Sequence, residues 1–205
     1  MIRITLLLLL LFSQALLAQQ IQIVDKQNQP VKNAVVWLKG SQQLTLPDTH
    51  YTMSQQERAF VPHVLVVPKG ANVEFPNLDS IMHHVYSFSK TKQFELKLYH
   101  DKPEQPINFA QTGVVELGCN IHDWMLGYIV VVDGTVFGQT DKQGIVNLPL
   151  PEGPHILAVW HDRFNDISSP ETIEISTSNS QFSYKLKQTL LPKLELNNDE
   201  FDDYE

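Results

Sequence analysis

Short apolar runs separated by turn residues are the dominant pattern along the chain. β-branched and aromatic residues recur in these runs, with Gly, Pro, Asn and Asp between them, and helical periodicity is hard to find. This pattern is typical of an all-β sandwich. The predicted strands are Ile21–Asp25, Ala34–Lys39, Phe60–Val67, Asn72–Phe75, His84–Ser89, Phe94–Leu98, Gly113–Leu117, Tyr128–Asp133, Thr135–Gln139, Ile145–Leu148, His155–Trp160, Thr172–Ser176 and Ser180–Lys187.

The N-terminus has the order of regions found in a secretory signal peptide. Arg3 provides a positive charge, Ile4 to Phe12 is almost wholly apolar, and small residues precede Gln19. We expect cleavage after Ala18, and therefore a periplasmic protein. A retained membrane anchor is the alternative, but the run is short for a bilayer span of ~20 residues. No second long apolar run follows, so the mature form is expected to have no membrane segment.

The net charge and the cysteine content limit the possible partners of the chain and the possible states of its thiol. The 205 residues carry a net charge of −8, which argues against nucleic acid and weakly favours a basic protein partner. Cys119 is the single cysteine, so no disulfide can form within the chain. An exported lone thiol is buried and inert, paired with another chain, or held as a metal thiolate.

The residues around that cysteine favour the metal. Cys119, His122 and Met125 stand at three-residue intervals, between a predicted strand that ends at Leu117 and another that begins at Tyr128. A tight loop can therefore turn a thiolate, an imidazole and a thioether toward one point. These donors suit copper in both oxidation states. Zinc also binds Cys and His but rarely accepts a thioether, so Met125 argues against it.

A fourth donor is expected from a histidine pair earlier in the chain. His83 and His84 precede Val85 within a predicted strand. Side chains alternate across a strand, so His83 and Val85 share one face and His84 lies on the other. Only one of the two imidazoles is therefore expected to reach the metal, and the alternation alone leaves both open.

These motifs resemble a known family. The run Gly70-x-x-Val73-x-Phe75-x-Asn77, followed by His-x-Val and then Cys-x-x-His-x-x-Met, is similar to the cupredoxins, and the short loop is most similar to that of amicyanin. The wider run also resembles cupredoxin-like proteins that are labelled methylamine utilisation proteins. The resemblance implies a Greek-key β-sandwich over residues 58–133.

The resemblance also implies a site and a function. By position, the ligands of one type 1 (blue) copper per chain would be His83, Cys119, His122 and Met125, while His84 falls where relatives often carry Asn. The protein would be a one-electron carrier, and its redox partner would dock near His122. Catalysis is not expected, because the sequence lacks the His-x-His pairs of multicopper oxidases and the second cysteine of a binuclear copper centre. The alternatives are copper delivery or storage with the same ligands, and a structural sandwich with a vestigial site.

A second motif predicts a flanking module. Residues 134–188, with a Thr-Asp-x-x-Gly turn and a later Pro-x-Gly-x-x-x-Leu strand, resemble carboxypeptidase regulatory-like, prealbumin-type β-sandwiches. Residues 19–57 resemble the opening strands of the same module, so the copper domain is expected to be an insertion. The remaining divisions are the signal peptide at 1–18 and an acidic tail at 189–205.

Overall fold

The computed structural model of the chain describes residues 17–41, 50–101, 103, 105–177 and 181–193, and these residues contain strands and turns but no helix. The predicted all-β class is confirmed. The strands are β1 (Leu17–Val24), β2 (Val35–Leu38), β3 (Tyr51–Thr52), β4 (Ser54–Gln56), β5 (Ala59–Val61), β6 (Val64–Pro68), β7 (Asn72–Glu74), β8 (His83–Ser87), β9 (Phe94–Tyr99), β10 (Ile107–Asn108), β11 (Gly113–Cys119), β12 (Leu126–Val132), β13 (Phe137–Gln139), β14 (Ile145–Leu150), β15 (Pro154–Trp160), β16 (Glu171–Ser176) and β17 (Gln181–Lys185).

Within these described stretches, no helix is long and apolar enough to cross a membrane. Most of the predicted signal peptide and the end of the acidic tail lie outside the described residues. Ala18, the expected last residue of the signal peptide, lies in β1 opposite Pro149.

A five-stranded sheet carries the residues of interest. Its order is β6-β12-β11-β8-β9, and β12 runs parallel to β6 and antiparallel to β11. The small sheet β10-β7-β3 supplies further core residues. A core that contains Val73, Phe75, Phe109, Leu117 and Ile129 joins the two sheets, because alternate residues of each strand point into it.

β12 is buried on both faces. Ile129 and Val131 belong to the core just described, whereas Tyr128, Val130 and Val132 belong to a second core. A strand covered on both sides reads as a continuous apolar run, as this one does. The five-stranded sheet is thus the shared layer between two hydrophobic cores.

The second core is built by strands from both ends of the chain. β1 lies between β14 and β17, and β2 lies between β13 and β15. By contrast, β3 pairs with β7, and β4 pairs with β5. Residues 50–57, which were expected to belong to the flanking module, therefore pair with the strands around the copper motif.

One predicted strand is wrong in its extent. The run from Phe60 to Val67 forms two strands, because it is interrupted at Pro62 and His63. Proline has no N–H to donate to a strand ladder, so it ends the pairing of β5. The two-residue strands β3 and β10 and the three-residue strand β4 were not predicted, since each is too short for its alternation to be recognised.

Candidate metal centre

Two adjacent strands and one loop position the predicted ligands. Cys119 is the last residue of β11, and it is in register with Val85 on β8. His83 is the first residue of β8, two positions before Val85 and on the same face. The six-residue loop 120–125 then returns the chain to β12, and Met125 N–H donates to the carbonyl of His122 at 2.9 Å.

The loop is also fastened to β8. The N–H of Asn120 donates to the carbonyl of His84 at 3.0 Å, directly after the strand pairing ends. The ring of Trp124 meets the ring of His122 edge-on, with centroids 5.3 Å apart. These contacts fix the direction in which the loop presents His122.

Three of the predicted ligand atoms converge on one point. Nδ1 of His83 lies 3.7 Å from Sγ of Cys119, and Nδ1 of His122 lies 3.6 Å from the same sulfur. All three donor atoms lie within 4.8 Å of one another. Donors bound ~2.1–2.2 Å from a single ion and ~120° apart would be separated by ~3.7 Å, so this spacing fits one metal ion.

The predicted ligands are buried, so little water can compete with them for a metal ion. His83 is 0% exposed, Cys119 3% and His122 8%. Met125 is 3% exposed and belongs to the same buried cluster as Cys119. The fourth predicted ligand is therefore buried in the same hydrophobic core as Cys119.

The structure separates the two neighbouring histidines. His84 is half-buried, and its Nε2 lies 2.8 Å from Oε1 of Glu95 on β9. Its Nδ1 lies 3.5 Å from the side-chain amide of Asn120. Strand alternation therefore places His83 in the cluster and leaves His84 to brace the ligand loop from outside.

Asp79 is a component of the site that the sequence did not single out. Its Oδ2 lies 2.8 Å from Nε2 of His83. It also accepts the backbone N–H groups of Glu57 at 2.6 Å and Arg58 at 3.0 Å. Partial burial disfavours its charge, but the hydrogen bonds from Arg58, His83 and Glu57 outweigh this and lower the pKa of Asp79.

The Asp79 contacts depend on an unusual hairpin turn. Glu57 and Arg58 join β4 to β5, and both have positive φ, at 53° and 56°. Two consecutive left-handed residues are typical of a type I′ turn, which usually contains Gly, Asn or Asp. In the sequence, Asp79 is distinguished only by its position four residues before His83, and this spacing does not by itself predict a contact.

Electrostatics favour a neutral imidazole at His122. Burial lowers the pKa of His122, and the nearby charges of His83 and Arg58 lower it further. A neutral imidazole keeps its lone pair available for a metal.

Burial, together with the charge of Cys119, raises the pKa of Tyr99, whose hydroxyl donates to Gln55.

The chain matches known proteins by structure and not by sequence. No protein-family model and no curated protein sequence matches the chain. Among solved structures, a copper-containing nitrite reductase from Thermus scotoductus SA-01 matches at 25% identity and a TM-score of 0.40. That match covers 44% of this chain but only 24% of the reductase.

Two smaller proteins match over most of their own length. A purple cupredoxin from Nitrosopumilus maritimus matches at 22% identity and a TM-score of 0.35, covering 40% of this chain and 98% of that one. Amicyanin from Paracoccus versutus matches at 15% identity and a TM-score of 0.35, covering 47% of this chain and 96% of that one.

Proposed function

We propose that the chain is a copper protein that carries single electrons, with His83, Cys119 and His122 as the principal ligands and Met125 as a weak fourth ligand. The observation that carries the proposal is the convergence of two imidazole Nδ1 atoms, at 3.6 and 3.7 Å, on the sulfur of the only cysteine. The bound group would be one type 1 copper.

The donor set supports copper over zinc. Two imidazoles, one thiolate and a weak thioether are the ligands of blue-copper sites, whose metal exchanges one electron between Cu(II) and Cu(I). Structural zinc sites are closed by Cys, His or carboxylate ligands. Here the remaining buried side chain of the loop is Met125, which is a poor zinc ligand and a familiar axial copper ligand.

The protein's part is to hold the donors still. Cys119 is fixed by pairing with Val85 and His83 by pairing with Tyr99, and Asp79 orients the ring of His83. The backbone bond from Met125 to His122 sets the turn between the two loop ligands. Because these side chains are pre-positioned and buried, a change of charge at the site requires little rearrangement of the chain.

Electrons are proposed to enter and leave at His122. His122 is 8% exposed, whereas His83 is completely buried. The more accessible imidazole gives a partner the shortest approach to the site. The partner would be a redox protein that docks on the surface around this ring.

The location and domain boundaries are part of the same proposal. An exported, periplasmic protein cleaved after Ala18 would keep β1 from Gln19 onward, which still pairs with Leu148 on β14. We place the flanking module at residues 19–41 and 134–188, and the copper domain at 50–133. This division replaces the boundary at residue 57, because β3 pairs with β7.

Voltammetry of the copper-loaded protein tests the carrier function. We expect a reversible one-electron couple and slow loss of copper to a chelator. A copper protein with no reversible couple, or one that releases Cu(I) rapidly to the chelator, would support copper delivery or storage instead.

A further inference from the structure

A cleft of about 540 Å³ opens beside the ligand loop. One wall is formed by Tyr86 of β8 and Phe88, which directly follows that strand, and another by Trp124 of the loop. Ile167 of the flanking module closes a further side. The cleft therefore lies where the copper domain and the module meet, and its shape depends on both.

One of the two rings of this aromatic wall is largely exposed, and the other supports it. Phe88 is 80% exposed, and its ring centroid lies 5.0 Å from that of Tyr86. The Tyr86 ring in turn lies against Gly118, where an added Cβ would come within 2.7 Å of the ring. A rigid, supported aromatic pair at the surface is the kind of feature that anchors a protein partner.

The charges in the cleft have one sign. Glu116 and Asp123 are exposed and line it, and none of the described lining residues is Lys or Arg. Carboxylates beside aromatic faces attract a guanidinium or ammonium group, through charged hydrogen bonds and cation–π contacts. The net charge of −8 means that the protein as a whole also attracts positively charged partners.

The cleft also reaches the metal centre. Met125 and Gly118, the residue before Cys119, both line it. Ile167 is held in place because its carbonyl accepts the indole N–H of Trp160 at 2.7 Å. A partner in the cleft would therefore lie directly beside the ligand loop.

Resting on the proposed function, we propose that a basic redox protein docks in this cleft. The partner inserts an arginine or lysine side chain between two groups of side chains. One group is the aromatic rings of Tyr86, Phe88 and Trp124, and the other is the carboxylates of Glu116 and Asp123. The flanking module has a role in this arrangement, since it supplies Ile167. In each encounter the partner's oxidised centre accepts one electron from the cuprous site, and no atom is transferred.

The test uses the full copper-loaded chain in its reduced form and ferricytochrome c, a lysine-rich redox protein, as the probe. The second-order rate of haem reduction is measured by stopped flow at low ionic strength. We expect the rate to fall at least about tenfold in the Glu116→Lys/Asp123→Lys double variant, since electrostatic steering is worth 10-fold or more. Phe88→Ser is expected to lower the rate several-fold.

Glu152→Lys/Glu174→Lys is the matched control, because it makes the same change in net charge at two exposed residues away from the cleft. It is expected to retain most of the wild-type rate. Binding is checked separately by amide chemical shifts, which should change at Phe88 and Asp123 when cytochrome c is added. Equal losses in the cleft and control variants, or shifts elsewhere only, would overturn the proposal.

Oxidation by ferricyanide, an anion, separates this proposal from the function on which it rests. Because ferricyanide is an anion, the Lys variants should be oxidised at least as fast as the wild type, and complete oxidation in all variants shows that the metal site is intact. Failure of the wild-type protein to react with ferricyanide would count against electron carriage itself. Saturation of the cleft by micromolar tetramethylammonium, without an effect of cytochrome c, would assign it to a small organic cation and overturn the proposed protein docking.

Discussion

Oδ2 of Asp79 lies 2.8 Å from Nε2 of His83. An ionised carboxylate only accepts hydrogen bonds, so Nε2 of His83 carries a proton, and in the neutral form of the ring that binds a metal the lone pair is on Nδ1. That Nδ1 is the atom that faces Cys119, at 3.7 Å. One carboxylate thus sets both the tautomer and the orientation of a proposed ligand, as outer carboxylates do in many metal sites.

Replacing Asp79 with Asn is predicted to weaken copper binding about 10- to 100-fold, because the charged acceptor that orients His83 is lost. The reduction potential should rise, since a neutral acceptor leaves the imidazole a weaker donor to Cu(II). Chelator competition and voltammetry measure the two effects. Glu95→Gln is the control, because that carboxylate contacts His84 at 2.8 Å and not His83. Equal effects of both substitutions would contradict the positioning role.

Met125→Leu is predicted to keep the copper and raise the reduction potential, because loss of a weak donor disfavours Cu(II). The substitution conserves volume in a side chain that is 3% exposed, so it should cost less than about 1.5 kcal/mol of stability. Met125→Gln should lower the potential. An unchanged potential in both variants would remove Met125 from the ligand set.

The stability of the chain is predicted to depend on Asp162 in a pH-dependent way. Burial opposes its ionisation, but hydrogen bonds from His161 at 2.8 Å and His63 at 3.1 Å outweigh this and hold its pKa well below the usual range. A lowered pKa in the folded state adds stability above the unfolded value of about 3.9, and this stability is lost as the pH falls below it.

Asp162→Asn should therefore destabilise the protein by about 2 kcal/mol at pH 7, or roughly 4–8 °C in Tm. The difference between variant and wild type should shrink below pH ~4. Thermal melting at several pH values measures it, with Glu152→Gln as an exposed control. A difference that stays constant from pH 7 to pH 2 would show that the charge of Asp162 is not the cause.

Residues 134–193 are predicted not to fold alone. β1 lies between β14 and β17 and β2 between β13 and β15, so the fragment lacks the central strand of one sheet and an inner strand of the other. Its remaining edges and apolar core would be exposed. Adding residues 17–41 should restore cooperative melting by circular dichroism. A fragment 134–193 that melts cooperatively as a monomer would show that the module is continuous in sequence.

The local part of the site could be predicted from sequence. The three-residue spacing of Cys119, His122 and Met125 falls within one loop, and strand alternation separates His83 from His84. These inferences need only the geometry of a strand and a tight turn. The all-β class likewise follows from the short alternating runs.

The rest depends on contacts between distant segments. Asp79 is fixed by backbone N–H groups of a turn whose left-handed residues, Glu57 and Arg58, carry no turn signature. Asp162 joins His63, which lies 99 positions away. The cleft is lined by both Phe88 and Ile167, which lie far apart in the sequence. Such arrangements are set by the packing of the two cores and not by any local pattern.

Titration of the full chain with Cu(II), followed by visible absorption and electron paramagnetic resonance, tests the central claim most directly. We predict saturation at one equivalent, an intense thiolate-to-Cu(II) band and a type 1 resonance, with the band lost in Cys119→Ser. A colourless protein at one equivalent of copper, or a band that survives in Cys119→Ser, would contradict the proposed blue-copper site.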